Sequence, residues 1–334
     1  MPEGRRPVVA VLATGGTIAG AQASATDAGY RAGSFSVHQL LEAVPQLSDV
    51  ADICAEQVAN VGSQNMTHGV WRALAGRVDA HCRDASVDGI VITHGTDTLE
   101  ETAYFLSLVI ASDKPIVLVG AMRPATALGA EGPANLYNAV ALAASGQARG
   151  RGPLVVMNED IHYARDVQKI ACAGISAFAS PNRGRAGVMH GGAPVFYSRN
   201  DTVHTTQSEF APAPPEEAAW PRVDIVYAHA DMQPDTIDFL ASRADGIVLA
   251  GVGDGNATDL AMQALRRAAA SGVVVVRSSR CGSGLVGRDV EIDDAAWGFA
   301  AARDLNPQKA RVLLMLALTR TRDVAAVQRY FERY

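Results

Sequence analysis

The sequence predicts an α/β protein, with a larger N-terminal α/β domain built on a mainly parallel sheet and a smaller C-terminal α/β domain. Three observations carry that expectation. Short apolar runs alternate with stretches of helical periodicity, the pattern of a sheet with helices on its faces. The 334 residues, 48% of them hydrophobic, suffice for two separate cores. The alternation breaks once, where Pro212, Pro214, Pro215 and Pro221 forbid a regular helix or central strand. The expected division is therefore an N-terminal domain over 1–210, a proline-rich linker over 211–222 and a C-terminal domain over 223–334.

The elements follow in order. Val8–Ala13, Gly89–Thr93, Pro115–Val119 and Leu154–Met157 read as buried strands. Leu99 to Ile110 reads as a helix, because Leu99, Ala103, Leu106 and Ile110 fall at helical spacing. Thr98 and Glu101 fit a capping box at its start. Gly129 to Ala144 is a second helix. Beyond the linker, Asp224–Ala228, Gly246–Ala250 and Val273–Arg277 read as strands, and Thr236–Arg243 and Ala257–Ser271 as helices. Asn306 followed by Pro307 is an N-cap with proline at the first helical position, opening a helix through Leu318.

Composition excludes several classes. The formal net charge is −6 and no basic block stands out, so nucleic acid is not an expected partner. The longest apolar runs are strand-sized, so no membrane partner is expected either. Arg5 and Arg6 before an apolar run resemble the start of a secretory signal, but the run is short and breaks into Thr14-Gly15-Gly16-Thr17. Cys54, Cys82, Cys172 and Cys281 form no CxxC pair, so zinc and dithiol chemistry are not expected. Separate free thiols suit a reducing compartment. The expectation is a cytoplasmic protein, with a periplasmic one as the alternative had a signal been removed.

Nucleotide-binding glycine motifs, a GxSxG elbow and HExxH are all missing, and the eight histidines show no metal spacing. No metal and no cofactor are expected. Two strands do end in polar, glycine-rich turns bearing threonines: Thr14-Gly-Gly-Thr17 and His94-Gly-Thr96-Asp97-Thr98. Either alone is explained by ordinary turn chemistry. Ligands of open α/β sheets gather at the carboxyl ends of strands, however. Two such turns in one sheet point to a hydrolase with a hydroxyl nucleophile. The basic residues add a hint. Lys+Arg total 29, of which only Lys114, Lys169 and Lys309 are lysine. An ammonium can shed its proton when desolvated and a guanidinium cannot, so a general base is one reason to keep a lysine. Lys114, in the turn Asp113-Lys-Pro115, carries no such implication.

The stretches VLATGGTIAG (11–20), GSQNM (62–66), ITHGTDTLEETAYFL (92–106), VGAMRP (119–124) and NLYNAVALAA (135–144) resemble the bacterial type II L-asparaginases. So do ARDVQK (164–169), GVGDGN (251–256), VRSSR (276–280) and LNPQKARVLL (305–314). The resemblance runs in order from about residue 7 to the C-terminus. It implies an L-asparagine amidohydrolase acting through a threonyl acyl-enzyme, with Thr17 as nucleophile. Tyr30, on a mobile loop after the first strand, would orient and activate it. Thr96 and Lys169 would form a second catalytic set with Asp97. Ser63 and Gln64 would hold the substrate α-carboxylate; Asp97 and Glu291, the latter from a neighbouring subunit, would hold the α-ammonium. Asn256 would lie at the same subunit boundary. The implied assembly is a homotetramer, a dimer of intimate dimers. Glu291 follows the last predicted sheet strand, on the far side of the linker from Thr17.

Four positions depart from the family pattern. Asn65 stands where Asp is usual, softening charge near the carboxylate. Asp254 replaces Asn and adds negative charge near the subunit boundary. Cys82 matches one cysteine of a disulfide seen in some secreted members, but the partner position is Ser112. Arg31 and Ala32 lie beside Tyr30, where loop closure would be tuned. Other readings are a glutaminase–asparaginase of mixed specificity, an ammonia-supplying subunit of a tRNA amidotransferase, and a non-catalytic amino-acid-binding protein on the same fold.

Overall fold

The computed structural model describes residues 5–26, 29–213 and 219–334. Part of the expected linker, residues 214–218, therefore lies outside the described residues. The chain divides into two compact units, Met1–Pro214 and Pro215–Tyr334.

The first unit is organised by an eight-stranded sheet. In chain order its strands are β1 (Val8–Gly15), β2 (Asp52–Val61), β3 (Gly89–Thr93), β4 (Ile116–Val119), β5 (Leu154–Met157) and β6 (Asp160–Tyr163). Next come β7 (Gln168–Lys169) and β8 (Phe178–Ala179), which form a two-stranded sheet of their own, and then β9 (Gly187–His190) and β10 (Ala193–Phe196). The sheet order is β10-β9-β6-β5-β4-β3-β1-β2. From β2 to β5 every pair is parallel; β6, β9 and β10 add an antiparallel flank. The central runs are buried on both faces, as uninterrupted Val/Ile/Leu strands of a parallel sheet must be. Helices α1 (Val37–Glu42), α2 (His68–Arg83), α3 (Leu99–Val109) and α4 (Gly132–Ala144) complete the unit.

Two local expectations are corrected, and a third residue gains a role. The predicted capping box at α3 does not form: the Thr98 side chain accepts from no N–H of the first turn, and its hydroxyl is aimed at the Ser63 carbonyl, to which it donates at 2.8 Å. The helix expected from Gly129 starts at Gly132. Gly129 is in the left-handed region, φ +69°, and the Glu131 carboxylate turns to the backbone N–H groups of Met122 and Arg123. Lys114 is also not idle. Its ammonium donates to the carbonyls of His81 and Asp84 at the end of α2, where a cation complements the helix dipole.

The second unit holds a four-stranded parallel sheet, β11 (Val223–Tyr227), β12 (Gly246–Gly251), β13 (Val274–Ser279) and β14 (Phe299–Ala301), in sequential order. Its helices are α5 (Asp235–Ala241), α6 (Asp259–Ala270), α7 (Asp294–Trp297), α8 (Pro307–Ala317) and α9 (Val324–Arg333). Asn306 caps α8 as expected, its side chain accepting from the Lys309 N–H at 3.1 Å. One expectation fails here too: β14 follows Glu291, so that residue lies between the last two strands rather than after the last. Three-residue β14 was too short to read as an apolar run.

Candidate active site

The strand register explains how the two threonine turns meet. β1 and β3 are parallel neighbours with Ala13 opposite Thr93, so their carboxyl ends are level. The Thr14 hydroxyl donates to the Thr93 carbonyl at 2.9 Å and ties the ends together. Immediately beyond, Gly16 (φ +85°) lies against Gly95. A Cβ on Gly16 would sit 2.3 Å from both the N and the Cα of Gly95, so any side chain there would force the turns apart. The two glycines let two backbones touch, and each carries its threonine into the same place.

Thr17 and Thr96 are both buried, as is Ser63. Thr17 Oγ1 lies 2.7 Å from the phenolic oxygen of Tyr30. Tyr30 is 47% exposed and sits beside a backbone bridge between Ala21 and Arg31 that closes the base of its loop. Of the loop, residues 27 and 28 are outside the described ones. On the other turn, Lys169 Nζ donates to Thr96 Oγ1 at 2.9 Å and to Asp97 Oδ1 at 2.6 Å. Ser63 follows β2, the other neighbour of β1. Its Oγ accepts from the Asp97 N–H at 3.1 Å, which leaves its own proton to donate. Gln64 and Asn65 are exposed beside it.

The structure thus brings Thr17 to Tyr30, and joins Ser63, Thr96, Asp97 and Lys169 through hydrogen bonds, all in the first unit. Asn256 and Glu291 belong to the second. There the Asn256 amide donates to the Glu291 carboxylate. Asn256 closes a tight turn after β12 through paired backbone bonds with Val252. Asp254 does more than add charge: its carboxylate accepts from the Gly287 N–H at 2.7 Å and ties this turn to the loop bearing Glu291. Arg277, on β13 and 1% exposed, donates to the carbonyls of Asp254, Gly255 and Gly287 while forking onto buried Asp294. The pair Asn256–Glu291 is therefore anchored to a buried ion pair that its sequence position, at the end of an apolar run, did not suggest.

Two further groups escaped the sequence. His94 is fully buried. Its Nδ1 lies 2.7 Å from the Gly95 carbonyl and its Nε2 2.9 Å from Thr102 Oγ1, which also accepts from the Trp71 indole at 2.9 Å. The hydrogen bonds assign one tautomer: Nδ1–H donates to Gly95, and Nε2 accepts from Thr102. Burial pushes the His94 pKa down to about 4, with the Gly95 hydrogen bond opposing. Glu100 is also buried and accepts from the Lys169 backbone N–H at 2.6 Å. Its signal was its place in ITHGTDTLEETAYFL, directly after the second threonine-bearing turn. Among the described residues no group of histidine, cysteine and acidic side chains could hold a metal ion.

Residues 8–202 match the family model described as Asparaginase, N-terminal, and residues 222–331 match the Glutaminase/Asparaginase C-terminal domain. The chain belongs to the asparaginase/glutaminase family. It is 47% identical over 330 residues to the protein of Haemophilus influenzae named "Probable L-asparaginase periplasmic", covering 98% of this chain and 93% of the relative. It is 45% identical over 329 residues to a glutaminase-asparaginase of Acinetobacter glutaminasificans, covering 98% and 99%. The crystal structure of a "Probable Cytoplasmic L-asparaginase from Campylobacter jejuni" superposes with a TM-score of 0.95 at 44% identity, covering 98% of this chain and all of that one. As an asparaginase/glutaminase, the chain is a threonine-dependent amidohydrolase of asparagine-type side-chain amides.

Proposed function

We propose that this asparaginase/glutaminase is an L-asparagine amidohydrolase with Thr17 as nucleophile. The observation that carries the reading is the 2.7 Å contact between Thr17 Oγ1 and the Tyr30 hydroxyl, next to a turn bearing Thr96 and Asp97, to which Lys169 on β7 donates. A threonine hydroxyl is a poor nucleophile until a partner takes its proton, and Tyr30 is in reach to relay it, its phenol passing its own proton on toward the leaving amine as it receives that of Thr17. Attack on the amide carbon breaks the C=O π bond and leaves an oxyanion. Backbone N–H groups of the two turns are the donors for it, each worth about 2.7–4 kcal/mol. Those of Gly16 and Asp97 are already spent, on the Val61 carbonyl and Ser63 Oγ, so the role falls to neighbours such as Thr17 and Thr96. Collapse expels ammonia, which leaves with a proton from the site, and gives a β-aspartyl ester on Thr17. Water then attacks the ester with Thr96 and Lys169 taking its proton, which releases aspartate and restores the hydroxyl. Ser63 and Gln64 hold the α-carboxylate, and Asp97 the α-ammonium.

Glu291 and Asn256, in the domain over 223–334, complete the ammonium site of a neighbouring subunit in a homotetramer assembled from intimate dimers. The protein works in the cytoplasm, a reading supported by four free cysteines and by the likeness to the probable cytoplasmic L-asparaginase of Campylobacter jejuni; cell fractionation with an activity assay checks it. Ser112 hydrogen-bonds the Cys82 thiol in place of a disulfide partner, while burial pushes that thiol's pKa up. A mixed asparaginase–glutaminase specificity is the second reading, favoured by the 45% identity to a glutaminase-asparaginase. One methylene in a pocket discriminates by only about 10–200-fold, and ammonia release from asparagine and glutamine, assayed side by side, separates the two. The nucleophile is tested by acid quench during turnover followed by peptide mapping. The aspartyl ester is expected on the peptide containing Thr17, and Thr17→Ala should lose turnover by several orders of magnitude while still binding asparagine. An ester on Thr96, or near-normal turnover of Thr17→Ala, refutes the assignment.

A further inference from the structure

We propose that Glu100 is a positioning residue for Lys169, acting through the lysine backbone and by reach rather than by charge. The inference rests on the reading of Lys169 as a base. Lys169 occupies a weak place in the fold. Its strand β7 has two residues and, among the described residues, pairs only with β8, outside the eight-stranded sheet. That pairing sets Lys169 opposite Phe178 but does not relate it to the turn bearing Thr96. Glu100 does. It stands in the first turn of α3, 4% exposed, and its Oε2 accepts from the Lys169 N–H at 2.6 Å.

The same short stretch of chain then takes the other end of the lysine. Thr96 Oγ1 and Asp97 Oδ1 receive Nζ at 2.9 and 2.6 Å. Backbone and tip of Lys169 are both held by Thr96–Glu100, so a long side chain with several free torsions spans a fixed gap. Misplacing a reacting group by about 1 Å costs on the order of 10²-fold in rate.

The test pairs two single variants with Lys169→Arg, each checked by thermal melting and assayed for kcat and KM on asparagine. Glu100→Gln keeps the length and a carbonyl oxygen that accepts from the same N–H. Glu100→Asp keeps the charge and loses one methylene of reach. The expected results are a kcat within about fivefold of the parent for Gln and a loss of about 100-fold for Asp, with KM within about threefold in both. If the Asp variant does not fold, the Gln variant decides, and a loss of about 100-fold there overturns the proposal. Loss in Gln with activity kept in Asp assigns the role to charge and also overturns it. Two folded variants with unchanged kcat do the same. Full activity of Lys169→Arg removes the base reading, and this inference with it; an inactive Lys169→Arg beside an active Glu100→Asp removes this inference alone.

Discussion

Lys169 Nζ stands within hydrogen-bond reach of a threonine hydroxyl and a carboxylate at once, and that contact serves two states of the amine. As an ammonium it donates to both oxygens. After losing a proton it can accept from Thr96 while still donating to Asp97. Arginine keeps the charge but cannot shed the proton. Lys169→Arg should therefore lose turnover by roughly 10²–10⁴-fold with asparagine binding retained, read by steady-state kinetics and calorimetry. Activity within about tenfold of the parent would make Lys169 a positive charge and nothing more. His94 makes a separate, pH-linked prediction. Its folded pKa of about 4 lies below the ordinary 6.5, so the fold favours the neutral ring. The site's contribution is full above pH 6.5 and is lost as pH falls from 6.5 toward 4, amounting to something on the order of 3 kcal/mol. Urea unfolding across that window should show His94→Gln losing less stability than the parent. Parallel curves would mean that His94 does not titrate with unfolding.

At the scale of elements, β1, β3 and β5 were legible because a strand buried on both faces must be apolar without interruption. Edge strand β2 was not. Its Asp52–Val61 run mixes Cys, Glu, Gln and Asn and is half-exposed, so neither alternation nor continuity marks it. The antiparallel flank β6, β9 and β10 is four residues per strand, with glycine, histidine and proline inside. The site followed the same division. Of the proposed site residues, Thr17, Thr96 and Asp97 were legible as strand-end turns, Lys169 through the scarcity of lysine and then family resemblance, and Tyr30 and Ser63 through resemblance alone. Glu100 and His94 were not, because burial and tautomer are properties of the packed chain. Arg277–Asp294 is the clearest case, with side chains 1% and 0% exposed and two bonds of 2.7 Å. Removing one partner of such a pair strands a buried charge, so Asp294→Leu should cost about 3–5 kcal/mol by denaturant unfolding. Arg277→Met with Asp294→Leu should recover the part due to the stranded charge and not the part lost with the Arg277 hydrogen bonds to the Asp254, Gly255 and Gly287 carbonyls. A single-variant cost below about 1 kcal/mol would show that the second unit does not depend on the pair.

At the scale of the whole molecule, the proposed site draws on two chains: Thr17, Tyr30, Ser63, Gln64, Thr96, Asp97 and Lys169 from one, Asn256 and Glu291 from a neighbour. The first seven lie in one compact unit and the last two in the other, where Asn256 and Glu291 already hold each other. A two-fold dimer would let each second unit serve its neighbour's turns. Mixing two inactive chains tests this arrangement most directly. Thr17→Ala and Glu291→Ala are each expected to be nearly inactive alone. In a mixed dimer one site carries both substitutions, and the other pairs a native Thr17 with a native Glu291 from the partner. Co-refolding at equal concentrations should restore about a quarter of parental activity, since half the dimers are mixed and half of their sites are intact. If Glu291 serves its own chain, every site in every dimer carries a defect, mixing restores nothing, and the two-chain site is refuted.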